Sequence, residues 1–286
     1  MKKILVPTDF SENAQGAIDF AANLARKTSA EIYLLHVIEN DDDYSGISTS
    51  GEWNSYVASE TIEIPTMIGL LKITAARMKE IMNQPIFDGV TVYDNVEVGS
   101  AGVHINAAAA KHKADMIVMG THGVTGITAR LIGSTAEKVV QLADRPVITI
   151  RENCNSNPQK IVFATDFSSE ADVVFGPVKE FAEIFNADVH LLTINTKEKF
   201  ESYLESEKRV NDFRERHGVK GYPFSIYNDH SKEAGILHFA KDIKADMIAI
   251  GSHGRSGLAR FFNRSISEDL VNHSFCPVLT VNIKKS

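Results

Sequence analysis

What the 286-residue chain lacks narrows it first. It has two cysteines, Cys154 and Cys276, and no CxxC, so neither a disulfide framework nor a thiolate metal site is expected. Two reduced thiols are the plain reading. No stretch reaches the about 18 uncharged apolar residues of a membrane-spanning helix. The opening "MKKILVPTDF" carries two lysines, but its apolar run stops at Asp9, too short for a secretion signal. A basic excess is missing too: 30 Lys and Arg against 37 Asp and Glu leave a formal charge of −7. Neither nucleic acid nor an anionic membrane surface is therefore an expected partner. GxxxxGK[ST] and GxGxxG are both absent, which removes the common nucleotide fingerprints. These absences predict a cytoplasmic protein.

What is present is a repeat. "KILVPTDFS" at Lys3–Ser11 returns as "KIVFATDFS" at Lys160–Ser168, 157 residues later. "ADMIVMGTHG" at Ala114–Gly123 returns as "ADMIAIGSHG" at Ala245–Gly254, and "RPVITI" from Arg145 returns as "CPVLTV" from Cys276, each 131 residues later. The first copy therefore carries 26 additional residues, which fit the acidic, Ser/Thr/Gly-rich region 41–66 around Trp53. A solvated loop is the default for such an insertion, and a lid over a neighbouring site is the sharper alternative. The polar "NCNSNPQ" at 153–159 reads as a linker, giving domains at 1–152 and 160–286. A hydrophobic share of 43% with 23% charged residues suits two globular cores.

Each copy alternates strand-like and helix-like patterns. "KILVP" and "EIYLLHVI" read as short apolar strands. Between them Ala14, Ala17, Ile18, Ala21, Leu24 and Ala25 recur at helical spacing behind an N-cap at Ser11. Further helices are expected around 66–84, around 102–113 and from Ser134, with strands at 90–98, "DMIVM" and "VITI". The second copy reads alike, with a charged helix over 197–218. The expected fold is α/β: two tandem, doubly wound, five-stranded parallel sheets, Rossmann-like, in strand order 3-2-1-4-5. That order brings the repeated loops after strands one and four to one crevice at the switch point. The order 2-1-3-4-5 would pair the loops after strands one and three instead.

The segment "GTHGVTGITARLIGS", Gly120–Ser134, spends four glycines after an apolar strand. Gly120 and Gly123 flank a turn where positive φ or a close main-chain approach is expected. Ser134 and Glu137 have capping-box spacing, repeated by Ser265 and Glu268, which is a purely structural account. The functional account adds that a helix N-terminus behind a bare Gly133 offers amides to a phosphate. His122 and His253, one per loop with no second ligand at metal spacing, read as hydrogen-bonding residues and not as a metal or catalytic site.

The spacing Gly120, two residues, Gly123, nine residues, Gly133, Ser134 resembles the ATP-binding signature of the universal stress protein family. "ILVPTDFS" and "LLHVIE" are similar to that family as well, and the resemblance covers both copies, as in a tandem member. It implies ATP as ligand, with Asp9 against the adenosine part, Pro7 and Thr8 lining the same pocket, and the main chain of Val37 facing adenine. Gly120, Gly123, Gly133, Ser134 and Thr135 match the phosphate-holding positions. A turn or capping role for Asp9 and a buried strand role for Val37 stand beside these. Mg²⁺ is a candidate companion of ATP, though Asp9 and Ser134 are too few to form a dedicated cage.

The second copy keeps Asp166, Gly251, Gly254 and Ser265, has Ile194 in place of Val37, and puts Arg264 where the third glycine is expected. A side chain there obstructs a phosphate nest, so a degenerate ATP site is expected. Arg255, Arg260 and Arg264 forming another anion site is the alternative. The resemblance implies an ATP-binding stress-response regulatory protein whose halves pair through their fifth strands. Nothing beyond Arg130 in the loop suggests hydrolytic machinery, so slow ATP hydrolysis or a nucleotide-independent scaffold are the alternatives. A further association of two chains is left open.

Overall fold

The computed structural model describes residues 1–39, 64–121, 134–151, 154–252, 270 and 273–283. The first half runs β1 (Lys3–Pro7), α1 (Glu12–Thr28), β2 (Glu31–Ile38), α2 (Ile64–Met82), β3 (Val92–Val98), α3 (Ala101–His112), β4 (Met116–Gly120), α4 (Ser134–Leu142) and β5 (Val147–Ile150). The second runs β6 (Lys160–Ala164), α5 (Ser169–Phe185), β7 (Asp188–Asn195), α6 (Tyr203–His217), β8 (Phe224–Asn228), α7 (Lys232–Asp242), β9 (Met247–Ser252) and β10 (Val278–Asn282). Most of the insertion, including Trp53, lies outside the described residues; its end, from residue 64, is helical and belongs to α2.

The strands form one sheet in the order β3-β2-β1-β4-β5-β10-β9-β6-β7-β8. Each half is parallel and ordered 3-2-1-4-5, as the loop pattern predicts. Rather than standing as two separate sheets, the halves meet in an antiparallel seam, with Leu279 opposite Ile148.

The inner strands β1, β4, β5, β6, β9 and β10 are buried on both faces, which is why they read as unbroken apolar runs, whereas the edge strands β3 and β8 are half-buried to exposed. Ile4 and Val6 face one layer and Leu5 the other, all buried. On the first face α1 and α5 cover a single core that extends across both halves. Phe20 of α1 stacks between them on Phe181 and Phe185 of α5, each with centroids 6.1 Å away. On the second face the cores stay separate, one under α3 and α4, the other under α7. Asn282 at the end of β10 donates to Val140 O (2.8 Å) and Ala143 O (2.7 Å), satisfying carbonyls at the end of α4 across the seam. Among the described residues no helix is long and apolar enough to cross a membrane.

α1 starts where its cap predicts: Ser11 Oγ accepts from Ala14 N at 3.2 Å. The charged stretch 197–218 departs from expectation, because its helix begins only at Tyr203. Ser202 and Glu205 form a reciprocal capping box that sets that start. The residues before it instead lie along the end of β7. Asn195 holds them there, donating to Glu201 O at 3.0 Å and accepting from Glu201 N at 3.3 Å.

Candidate functional site

β1 lies between β2 and β4, so the sheet's switch point falls between β1 and β4. Loops leaving neighbouring strands in opposite directions open a crevice at the carboxyl edge, where ligands of such sheets bind. The loop after β1 contributes Thr8 and Asp9. Thr8 is buried, its N–H donating to Leu35 O of β2 at 2.8 Å. Thr8 Oγ1 accepts from Phe10 N (3.1 Å) and Asp9 Oδ1 accepts from Ser11 N (3.0 Å). These two turns hold Phe10 at φ 65°, a left-handed conformation that a bulky residue adopts only when its surroundings enforce it.

The second half builds the same loop. Thr165 and Asp166 accept from Phe167 N and Ser168 N, and Phe167 sits at φ 57°. The turn reading of Asp9 is therefore part of its role, since one carboxylate oxygen caps the entry to α1. Pro7 is buried at the end of β1, and Val37 is half-buried at the end of β2, packed against the core beneath α3 and α4.

Gly120 ends β4 and has a reason that needs no ligand. A Cβ there would lie 2.9 Å from the carbonyl carbon of Asn13 and 3.0 Å from Ala14 N, inside the first turn of α1. A side chain at this point would push the helix off the sheet. Close approach, not positive φ, is what demands glycine. Thr135 is half-buried in the first turn of α4, which begins at Ser134. Glu137 Oε1 accepts from Gln141 Nε2 at 2.9 Å. Gly123 and Gly133 lie outside the described residues, as do His122, Arg130, His253, Gly254, Arg255, Arg260, Arg264, Ser265 and Glu268.

Sequence reading assigned nothing to His36, Phe10 and Arg77, which the fold assembles beside Asp9. The His36 and Phe10 rings are 4.6 Å apart, and the Arg77 guanidinium of α2 lies 4.5 Å from the Phe10 centroid. His36 Nδ1 is 2.8 Å from Thr8 O; a carbonyl can only accept, so Nδ1 carries the proton. Burial holds the His36 pKa below its ordinary 6.5, against the hydrogen bond to Thr8 O and the charge of Asp9, with Arg77 adding to the lowering. A neutral imidazole thus lies against the loop after β1. The available signal was its place in the quoted "LLHV", one residue from Val37. Among the described residues, no group of three or more His, Cys, Asp or Glu is arranged to hold a metal ion.

The universal stress protein family model matches the chain twice, over residues 1–151 and 157–282. A universal stress protein of Methanocaldococcus jannaschii is 33% identical over 151 residues, covering 53% of this chain and 82% of that protein. Another, from Synechocystis, is 22% identical over 293 residues, covering 98% of this chain and 99% of its own length. The crystal structure of a universal stress protein from Archaeoglobus fulgidus superposes with a TM-score of 0.75 over 98% of both chains at 21% identity, a likeness of fold. With the double match and the doubly repeated strand order, this chain belongs to the universal stress protein family as two such domains in tandem.

Proposed function

We propose that the first half binds ATP and that its occupancy regulates the protein's part in a stress response. The observation that carries this is the adjacency of β1 and β4, which sets the Asp9 loop beside the end of β4 at Gly120. Asp9, Pro7 and Thr8 would meet the adenosine part, where a carboxylate can accept from ribose hydroxyls or the exocyclic amine. Val37 would present its main chain to the purine, next to the neutral His36. Gly120, Gly123, Gly133, Ser134 and Thr135 would hold the phosphates, the first amides of α4 supplying donors that no helical carbonyl takes. Mg²⁺ would then be held by the phosphates more than by protein ligands.

The second half, with Arg264 at the third glycine position, takes no ATP in this reading. Its role is to pair with the first through β5 and β10, so that one chain serves as its own dimer in the cytoplasm.

Mass spectrometry of small molecules released from freshly purified protein, joined to isothermal titration with ATP, tests the reading. One adenine nucleotide per chain is expected, with hydrolysis near background. Two equal sites would refute the degenerate second half, and no nucleotide by either measurement would refute the proposal.

A further inference from the structure

A cavity of about 250 Å³ opens in the first half beside the edge strand β3, on the face of the sheet that α3 covers. The buried Leu5, Leu35 and Ala108 are among its lining residues, so its inner wall is hydrocarbon. Three rings line it further out. Tyr33 of β2 stacks on Tyr93 of β3 with centroids 5.0 Å apart, and the His112 ring at the end of α3 is 4.6 Å from Tyr33. Tyr93 is 46% exposed, which leaves aromatic surface in water next to an apolar wall. This is not the crevice at the carboxyl edge. Tyr33 precedes Val37 by four residues, about 13 Å along the strand, and His112 ends α3 just ahead of β4, at the amino edge.

The second half treats the matching place differently. Helices α3 and α7 end alike, since Ala114 N donates to Ala109 O and Ala245 N to Ala240 O, while Lys113 and Lys244 stand at φ 55° and 54°. The offset of 131 therefore holds through this turn, and the counterpart of Ala108 is Phe239. Phe239 is buried, its ring edge-on to His190, the counterpart of Tyr33, at 5.0 Å and to Tyr227 at 5.7 Å. One copy thus covers this part of the sheet with an aromatic ring from its own helix. The other has a single methyl at that helix position and an open cavity beside its rings.

Size and charge narrow what fits. An apolar cavity of about 150 Å³ takes one benzene ring, so this one has room for two fused rings. Asp94 and Lys111 both line it, and Lys111 also approaches Glu97 at 3.9 Å, so neither an anion nor a cation is favoured. We propose that the cavity binds a small, uncharged, planar molecule of two fused aromatic rings, with Tyr33, Tyr93 and His112 as its ring contacts and Asp94 as acceptor for a ring N–H. The inference does not depend on ATP binding by the first half.

Indole, two fused rings with one N–H, is the probe, titrated calorimetrically into the full chain and into Tyr93→Ala and His112→Ala. Wild type should bind one indole per chain, and loss of either ring contact should weaken binding roughly threefold or more. Tyr93 is half-exposed on an edge strand, so Tyr93→Ala should leave the melting temperature nearly unchanged, which separates a lost contact from a lost fold. Should that variant misfold, His112→Ala decides from the helix side. Absence of binding by calorimetry and by saturation-transfer NMR at millimolar indole, or unchanged affinity in a folded variant, overturns the proposal.

Discussion

Gly120 at the end of β4 lies against the main chain of Asn13, so close that a Cβ would come within 2.9 Å of the Asn13 carbonyl carbon. Its counterpart Gly251 meets only side chains, with Val174 Cγ2 at 2.8 Å and Ile283 Cδ1 at 3.1 Å. Side chains can move aside, but the first turn of a packed helix cannot without shifting the helix. Gly120→Ala should therefore destabilise the protein by about 1–3 kcal/mol, and Gly251→Ala by less. Thermal melts of the two variants side by side check the order, and equal shifts would contradict it.

Asp9 has two separable duties. Asn at this position can still accept from Ser11 N, so Asp9→Asn preserves the turn while removing the charge. ATP affinity is expected to drop about tenfold, or ~1.4 kcal/mol, with the melting temperature nearly unchanged. Asp9→Ala loses the turn as well and should lower both. Titration calorimetry and thermal melts on the pair decide between a ligand role and a purely structural one.

His36 makes stability depend on pH. Its folded pKa is below 6.5, so between that value and 6.5 the unfolded chain binds more protons than the folded one. Stability is full above 6.5 and declines as pH falls through the window. His190, also lowered by burial, contributes with the same sign. Denaturant titrations from pH 7.5 to 5 should show a slope that His36→Gln flattens in part; an unchanged slope would count against burial as the cause.

Cys276 is held protonated. Burial raises its pKa to about 12, against the opposing hydrogen bond from Ser274. Burial raises Cys154 as well, though that thiol is only half-buried. At pH 8 a disulfide reagent should label Cys276 slowly in the folded protein and rapidly in guanidinium. Fast labelling under native conditions would show that its enclosure opens readily.

Phe20 ties the halves together through Phe181 and Phe185. Phe20→Ala should cost about 3–5 kcal/mol and lower the melting temperature by several degrees. Because the core it serves belongs to both halves, calorimetry should also show one transition broadening towards two. A small change confined to one transition would mean that the shared core contributes little.

Much of the architecture was legible because it is local or repeated. The N-cap at Ser11, the face Ala14–Ala17–Ile18–Ala21, and apolar strands such as "KILVP" follow from spacing alone. Strand order came from the doubled loops, which make sense together only if β1 and β4 are neighbours. The start of α6 was missed because charge and helix propensity run on from 197, while the deciding contacts are the capping box and the grip of Asn195. For the candidate site, the repeated motifs singled out Asp9 and Gly120. His36, Phe10 and Arg77 were not singled out, since they come together only when β2 and α2 pack beside the first loop.

The sequence by itself determined the two copies, their alternating elements and the family, because periodicity and repeated spacing are properties of neighbours along a chain. Only the tertiary structure decided that the copies share one sheet and one aromatic core, that Gly120 answers to Asn13, and that His36, Phe10 and Arg77 gather in one place. Those relationships join residues far apart in the chain. They depend on where sheet order and helix packing bring them, which no local pattern encodes.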